Sequence, residues 1–281
     1  MISVAIFPVI RALPVRVRKV LATVIQPAVV GLLLAHVPRA SAQFSEWTGS
    51  GSNWSNGSNW TNGAPNGFYG QLEFKGNGLA TSNNDLSPAN AWRLYFTGTK
   101  AYTLTSGGGV ANLFDSGGAH SWILSDSTVN QTFSTLNVNF AATVGATFGQ
   151  ISARNTGNLV LNNIGITGAQ VSQLRVAGES TGKVIFSGAI SGSGKQVVIG
   201  LNENAAAATT TEVSFDGTNT YSGDTFVVAG SLSFGSGGTS NSSSCSEHWR
   251  SRRNSGRANL EFKLSDRSGN LECQQYSWIR G

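Results

Sequence analysis

Cysteine is almost absent from this chain. The sequence contains two cysteines, Cys245 and Cys273, and both lie close to its C-terminal end. The residues before Cys245 therefore have no thiol. This long segment can form neither a disulfide framework nor a cysteine-ligated metal site, so its fold must depend on packing and hydrogen bonds.

Proline and histidine are also scarce. The last of the six prolines is Pro88, and the long proline-free segment after it suits strands that donate hydrogen bonds to neighbours on both sides. Of the three histidines, only His120 lies in the central part of the chain. A single histidine without a thiol or a second imidazole makes no metal site, so we expect a structural or merely exposed role for His120.

Charge is sparse and unevenly distributed. Charged residues make up 12% of the chain, and the formal net charge is +5. Residues 1–42 contain five of the 19 lysines and arginines and none of the 14 acids, so 14 basic and 14 acidic residues remain after them. A neutral remainder has no electrostatic footprint for nucleic acid, and nothing in it indicates a membrane-surface patch.

The acids of the central segment are scattered along the chain. Glycoside hydrolysis requires two carboxyl groups about 5–9.5 Å apart. Glu212 and Asp216 would lie about 13 Å apart along a strand, and a meeting of Asp216 with Asp224 across a turn would give only a weak calcium site. The sequence therefore predicts no catalytic residue, no metal ligand, no cofactor and no enzymatic activity.

The N-terminal segment has the three parts of a secretory signal peptide. A basic region with no acid precedes an apolar run over residues 20–37, and Ala40 and Ala42 provide the small residues of a cleavage site. An uncleaved membrane anchor is the alternative, but Gln26 and Pro27 interrupt the apolar run. We expect residues 1–42 to be removed after Ala42, and the protein to be extracellular or on the outer cell surface.

Residues 43–67 form a segment rich in tryptophan, asparagine and glycine. Trp47, Trp54 and Trp60 recur at spacings of seven and six, and Asn-Gly pairs, which are strong turn signals, follow Trp54 and Trp60. Exposed tryptophans in such a row would provide glycan contacts. Buried ones would form an aromatic cap over the first open edge of a repeat core, and the need of repeat folds for terminal caps favours this second interpretation.

Residues 68–244 alternate between short β-type segments and turns rich in glycine or asparagine, and no window shows a sustained helical period. This predicts an all-β fold, and a sandwich, a barrel and a parallel β-helix are all compatible with it. Recurrent small-residue turns and corner asparagines such as Asn162 and Asn163 favour the parallel β-helix, with a β-sandwich as the alternative. We expect these asparagines to adopt left-handed backbone and to form ladders with the coils above and below. If each coil contains about 20–25 residues, the repeat region forms about eight to ten coils and a rod about 40–50 Å long.

Residues 213–235 resemble the autotransporter-associated β-strand repeat, and residues 183–195 resemble the segment that commonly precedes it. The resemblance depends on a Gly-x-Asn-x-Tyr-x-Gly turn followed by a strand, a glycine and a second strand. The matching positions are Gly217, Asn219, Tyr221, Gly223, Gly230 and Leu232. The resemblance implies a right-handed parallel β-helix on the outside of a bacterium, with these residues in structural roles. We expect Gly217, Gly223 and Gly230 to lie at sharp bends with positive φ.

Together these observations predict an exported structural or adhesive module of the cell surface. A carbohydrate-binding or weakly polysaccharide-active β-helix is the alternative, and it depends on Trp47, Trp54 and Trp60 being exposed. The expected partners are surface polysaccharide or other components of the cell surface, and not nucleic acid. We expect contact with a membrane only through export or through a C-terminal anchor that this chain has lost.

Residues 245–281 differ abruptly from the repeat region. They contain 11 charged residues in 37, against 17 in the 202 residues 43–244. One interpretation is a genuine basic tail with little order. The other is a shifted reading frame, because codons for residues 272–277 can be chosen so that a one-base shift encodes Asn-Val-Asn-Asn-Thr-Ala, a sequence typical of the repeat region.

Overall fold

The computed structural model describes residues 44–66, 68–114, 120–142, 147–202 and 204–235, and the short strands 263–264 and 271–272. The predicted signal peptide lies outside the described residues. Residues 245–281 also lie outside the described residues, apart from the two short strands, which pair in antiparallel orientation. In the described ranges no helix is long and apolar enough to cross a membrane.

The described residues form short strands and one 3₁₀ turn, Gly57–Asn59. The first ten strands are β1 (Phe44–Glu46), β2 (Phe68–Phe74), β3 (Thr81–Asn84), β4 (Ala89–Phe96), β5 (Thr103–Ser106), β6 (Val110–Leu113), β7 (Ser121–Ser125), β8 (Gln131–Phe133), β9 (Asn137–Phe140) and β10 (Phe148–Ala153). The others are β11 (Leu159–Leu161), β12 (Ile164–Ile166), β13 (Gln173–Gly178), β14 (Val184–Phe186), β15 (Ile190–Ser191), β16 (Gln196–Ile199), β17 (Glu212–Phe215), β18 (Thr225–Val227), β19 (Ser231–Phe234), β20 (Lys263–Leu264) and β21 (Leu271–Glu272).

The strands up to β19 wind into a parallel β-helix with three faces. Face A contains β1, β2, the second half of β4, β7, β10, β13, β16 and β18. Face B is the seven-stranded sheet from β3 through β5, β8, β11, β14 and β17 to β19. Face C contains the first half of β4 with β6, β9, β12 and β15. All these pairings are parallel, which confirms the β-helix and excludes the β-sandwich, whose sheets are antiparallel.

The coils are fewer than the sequence predicted, and some of them are longer than about 25 residues. Gln71 pairs with Arg93, Arg93 with Trp122, and Trp122 with Gln150, so successive coils contain 22, 29 and 28 residues. Face B accordingly has seven rungs. The eight rungs of face A, at about 4.8 Å each, give a length of about 34 Å, shorter than the rod expected from the sequence.

A column of aliphatic side chains on each face fills the interior. On face A, Leu72, Leu94, Ile123, Ile151 and Val176 occupy successive rungs, and all are 0% exposed. Faces B and C add phenylalanines to the same continuous cluster. Because equivalent positions in each coil point inward, every coil covers the core of the coil below it, and no coil can bury its own side chains alone.

Asparagines connect the coils at the corners. The Asn137 Oδ1 atom accepts hydrogen bonds from the amides of Asn162 (3.2 Å) and Asn163 (3.1 Å), and the Asn163 Oδ1 atom accepts one from the Ala189 N–H group (2.9 Å). The predicted ladder is therefore present. The left-handed backbone that we expected at these asparagines is absent, because Ala205 is the only non-glycine residue with positive φ in the described ranges.

Candidate binding surface on face A

The three N-terminal tryptophans lie inside the first coil. Trp47 and Trp54 are 0% exposed and Trp60 is 3% exposed. The ring of Trp60 meets those of Trp47 and Trp54 edge-on, at centroid distances of 5.1 and 5.4 Å, and all three rings pack on Phe74. This cluster covers the N-terminal end of the core, as the capping interpretation predicts.

The cap also satisfies its own polar atoms. The indole N–H of Trp47 donates to the Leu79 carbonyl (3.1 Å), that of Trp54 to the Ser82 hydroxyl, and that of Trp60 to the Trp54 carbonyl (3.2 Å). Rings with no exposed face and no free donor cannot stack on a sugar. The structure thus corrects the suggestion that these three residues make glycan contacts.

The residues of the repeat motif have structural positions at the other end of the described coils. Asn219, Tyr221 and Leu232 are buried, and the Asn219 Oδ1 atom accepts a hydrogen bond of 2.7 Å from the Ile190 N–H group one coil below. Among the glycines, Gly230 has a φ of 79°, which is the left-handed region expected at a tight bend.

Gly217 and Gly223 are required for a different reason. Neither has a positive φ, contrary to the expectation that the turn glycines use left-handed backbone. A Cβ atom on either would lie 2.3 Å from a backbone carbonyl oxygen of the preceding coil, at Gly188 for Gly217 and at Lys195 for Gly223. Close stacking of successive coils, and not local bending, excludes a side chain at these two positions.

Aromatic and arginine side chains form a row on the outer surface of face A. The tryptophans of the cap, in contrast, lie in the interior. The guanidinium carbon of Arg93 lies 4.5 Å from the ring centroid of Trp92 and 4.3 Å from that of Trp122, so it stacks against both indoles. The Arg93 Nη1 atom also donates to the Gln71 Oε1 atom (3.0 Å). Both indoles are half-buried, which leaves part of each ring accessible.

A second stacked group lies farther along the same face. The guanidinium carbon of Arg175 is 3.6 Å from the ring centroid of Phe148, and the imidazole of His120 stacks on that ring at 3.5 Å. Burial lowers the pKa of Arg175 from its ordinary value. Trp122 pairs with Gln150 and Gln150 with Arg175, so the two stacked groups belong to one continuous column. We call Trp92, Arg93, Trp122, Phe148, Gln150 and Arg175 the face A row.

Four polar atoms of the face A row are buried without a hydrogen-bond partner: Trp92 Nε1, Trp122 Nε1, Gln150 Oε1 and Arg175 Nε. A buried donor or acceptor left unpaired costs about 1–3 kcal/mol, and each such group in a native fold calls for an explanation. Three of the four atoms are donors, and the residues Trp122, Gln150 and Arg175 occupy successive rungs of face A.

Hydrogen bonds hold Gln150 at the centre of the row, and others hold Asp126 beside it. The Gln150 amide nitrogen donates to the Ser152 hydroxyl (2.9 Å) and to the Leu201 carbonyl (3.3 Å), which holds the amide in place. On the flank, the Asp126 carboxylate accepts hydrogen bonds from Arg154 at 2.8 and 2.9 Å and from the Tyr95 hydroxyl. Burial and this hydrogen bond raise the pKa of Tyr95.

The rest of the described chain offers little for metal or acid–base chemistry. In the ranges that the structure describes, no three His, Cys, Asp or Glu side chains converge as metal ligands. Glu212 pairs with Lys183 at 2.6 Å, and Asp216 accepts a hydrogen bond from the Ser214 hydroxyl.

Sequence reasoning missed the face A row because the row depends on a corner within β4. Strict alternation would place Trp92 and Arg93 on opposite sides of the strand. In the structure, Ala91 and Leu94 both point inward and the two residues between them both point outward. The corner arises where β4 leaves face C and joins face A, and only the pairing of neighbouring coils reveals it.

Comparisons with protein-family models, with curated proteins and with solved structures found no match to this chain.

Proposed function

We propose that the protein is an exported structural and adhesive module of a bacterial cell surface. The observation that carries the proposal is the parallel β-helix, which presents the half-buried side chains of Trp92, Arg93 and Trp122 on the outer surface of face A. Such a scaffold fixes the spacing of outward side chains at about 4.8 Å per coil. An extended partner can then make repeated contacts along it.

Two features of the sequence support location at the surface. Residues 1–42 have the pattern of a cleaved signal peptide. Residues 213–235 resemble the autotransporter-associated β-strand repeat, a family of exported bacterial proteins. The lack of cysteine up to Ser244 agrees with a fold that needs no disulfide after export.

A carbohydrate-binding module is the second candidate, and one observation favours it. Trp92 and Trp122 are half-buried and have unpartnered indole nitrogens, whereas the three tryptophans of the cap are sealed and paired. Partly exposed aromatic rings can stack on the apolar face of a sugar. If the protein binds a glycan, the binding surface is on face A and not on the N-terminal cap.

Deletion of the gene tests the proposed function. We expect whole cells of the parent strain to lose the protein when treated with an external protease, and deletion cells to attach less well to surfaces or to other cells. Complementation with the unchanged gene should restore attachment. Protection of the protein inside intact cells, or unchanged attachment after deletion, would contradict the proposal.

A further inference from the structure

We propose that Asn56, in the N-terminal cap, is a site of N-linked glycosylation. The acceptor motif for this modification is an asparagine, then any residue except proline, then a serine or threonine. Asn56-Gly57-Ser58 fits the motif. The inference goes beyond the adhesive function and does not depend on it, because it concerns the cap and not face A.

Four acceptor motifs lie wholly within the described residues, and they begin at Asn53, Asn56, Asn59 and Asn130. The motif alone does not distinguish them, because a chain rich in asparagine, serine and threonine contains some of them by chance. Two structural properties do distinguish them. One is the exposure of the asparagine, and the other is the set of contacts made by its amide and by the hydroxyl two residues later.

Asn59 is excluded because its side chain lies in the interior. The residue is 0% exposed, its Nδ2 atom donates to the Asn53 carbonyl (2.8 Å), and its Oδ1 atom accepts a hydrogen bond from the Gly51 N–H group (3.2 Å). A sugar on Nδ2 would have to occupy the space that the cap fills. Asn59 is therefore a control site within three residues of Asn56.

Asn53 and Asn130 are exposed, but the hydroxyl of each motif is not on its asparagine. After Asn53, the Ser55 hydroxyl and N–H group both donate to the Asp85 carboxylate. The Asn130 Oδ1 atom accepts a hydrogen bond from the Asn158 N–H group of the next coil (3.0 Å), and within the described ranges it accepts none from the threonine of its motif. These two asparagines are accessible but lack the local contact.

Among the four, only Asn56 combines exposure with a contact to the hydroxyl of its own motif. Its Oδ1 atom accepts hydrogen bonds from the Ser58 N–H group (3.1 Å) and from the Ser58 hydroxyl (2.8 Å). Both residues are exposed. In the part of the chain that the structure describes, the Asn56 amide nitrogen donates no hydrogen bond, so the atom that receives the sugar is unoccupied.

The two hydrogen bonds also assist the chemistry of the transfer. An amide nitrogen is a weak nucleophile because its lone pair is delocalised, and negative charge grows on Oδ1 as the nitrogen gives up a proton. Donors that already point at this oxygen stabilise that charge. With a sugar diphosphate as donor, a bond forms between Nδ2 and the anomeric carbon, and the bond from that carbon to the phosphate oxygen breaks. The diphosphate leaves with the electron pair, and a base of the glycosyltransferase takes the amide proton.

The position of Asn56 suits a sugar. The residue lies in the exposed turn that leads into the 3₁₀ segment Gly57–Asn59, whereas the tryptophans on either side of this turn, Trp54 and Trp60, point into the core. The terminal units of repeat folds need a polar outer face, and glycans are bulky and solubilising. A sugar on Asn56 therefore adds polar surface to the outer side of the aromatic cap.

The test is peptide mapping of the native protein by mass spectrometry with electron-transfer dissociation, which assigns a sugar to one residue. Asn53, Asn56 and Asn59 lie in the same tryptic peptide, which ends at Lys75. We expect a sugar on Asn56 and none on Asn59. An unmodified Asn56 in the native protein would overturn the inference, and so would equal modification of Asn56 and Asn59, because it would mean that the folded contacts do not select the site.

Variants expressed in the native cells test the role of the hydroxyl. Ser58→Ala should abolish the modification of Asn56, and Ser58→Thr should retain it. Ser55→Ala, which removes the hydroxyl of the neighbouring motif, is the matched control and should leave Asn56 modified. Undiminished modification in Ser58→Ala would contradict the proposed contact. If that variant fails to fold, the location of the sugar in the unchanged protein still decides the inference. A sugar on Asn56 together with unchanged cell attachment after gene deletion would refute the adhesive function alone.

Discussion

A Cβ atom on Gly217 would lie 2.3 Å from the carbonyl oxygen of Gly188, which belongs to the coil below. The two glycines therefore set how closely these coils stack. We predict that Gly217→Ala lowers the free energy of unfolding by at least about 2 kcal/mol, because the coils must separate to admit the methyl group. The matched control is Ser231→Ala, at an exposed position of the next coil, which should cost less than about 0.5 kcal/mol. Equal urea midpoints for the two variants would contradict this stacking.

The side chain of Asn219 is the second predicted point of weakness. It is buried, and its Oδ1 atom accepts a hydrogen bond of 2.7 Å from the Ile190 N–H group. Asn219→Ala leaves that backbone donor unpaired in the interior, and we expect a loss of about 1–3 kcal/mol in urea unfolding. Asn204→Ala, at an exposed asparagine, is the control. An equal loss of unfolding free energy in both variants would show that the hydrogen bond between coils does not cause the effect of Asn219→Ala.

The two groups of tryptophans should respond differently to truncation. Trp54 is 0% exposed within the cap, so Trp54→Ala should cost about 3–5 kcal/mol through the cavity that it leaves. Trp122 is half-buried on the outer surface of face A, and Trp122→Ala should cost less than half of that. Thermal unfolding of both variants checks the prediction, and a larger loss for Trp122→Ala would mean that the cap does not close the core.

The stability of the first coil should depend on pH through Asp85. Its carboxylate accepts a hydrogen bond of 2.8 Å from the Ser55 N–H group and another from the Ser55 hydroxyl. Burial alone raises the pKa of Asp85, but the hydrogen bonds from Ser55 outweigh it, so the pKa lies below its ordinary value.

A lowered pKa in the folded state means that the unfolded state binds the proton more readily. The contribution of Asp85 to stability is therefore fully present above the ordinary aspartate pKa and is lost as the pH falls through the lowered one. We expect Asp85→Asn to reduce the difference in unfolding midpoint between about pH 6 and about pH 3. An unchanged difference would show that other carboxylates carry the acid sensitivity.

The class of fold was accessible from the sequence because it depends on local signals. β-branched and aromatic runs bounded by glycine and asparagine predict the strands, and Asn162 and Asn163 predict the corner ladders. The number and length of the coils were not accessible. The coils differ in length, as the 22 residues from Gln71 to Arg93 and the 29 from there to Trp122 show, and no local signal fixes such differences.

The candidate site was hidden for a related reason. Trp47, Trp54 and Trp60 attract attention in the sequence because they recur with turn residues, yet this regularity belongs to a buried cap. Trp92 and Trp122 are isolated in the sequence, and they come together only because β4 pairs with β7. A binding surface on a β-helix is formed by residues one coil apart, so its pattern is invisible along a single strand.

Export of the mature chain is the central claim of this account, and the mass of the native protein tests it most directly. Mass spectrometry of the protein from the cell surface or the medium should show a chain that lacks residues 1–42 and begins at Gln43. A protein that is found in the cytosol and retains residues 1–42 would contradict the account.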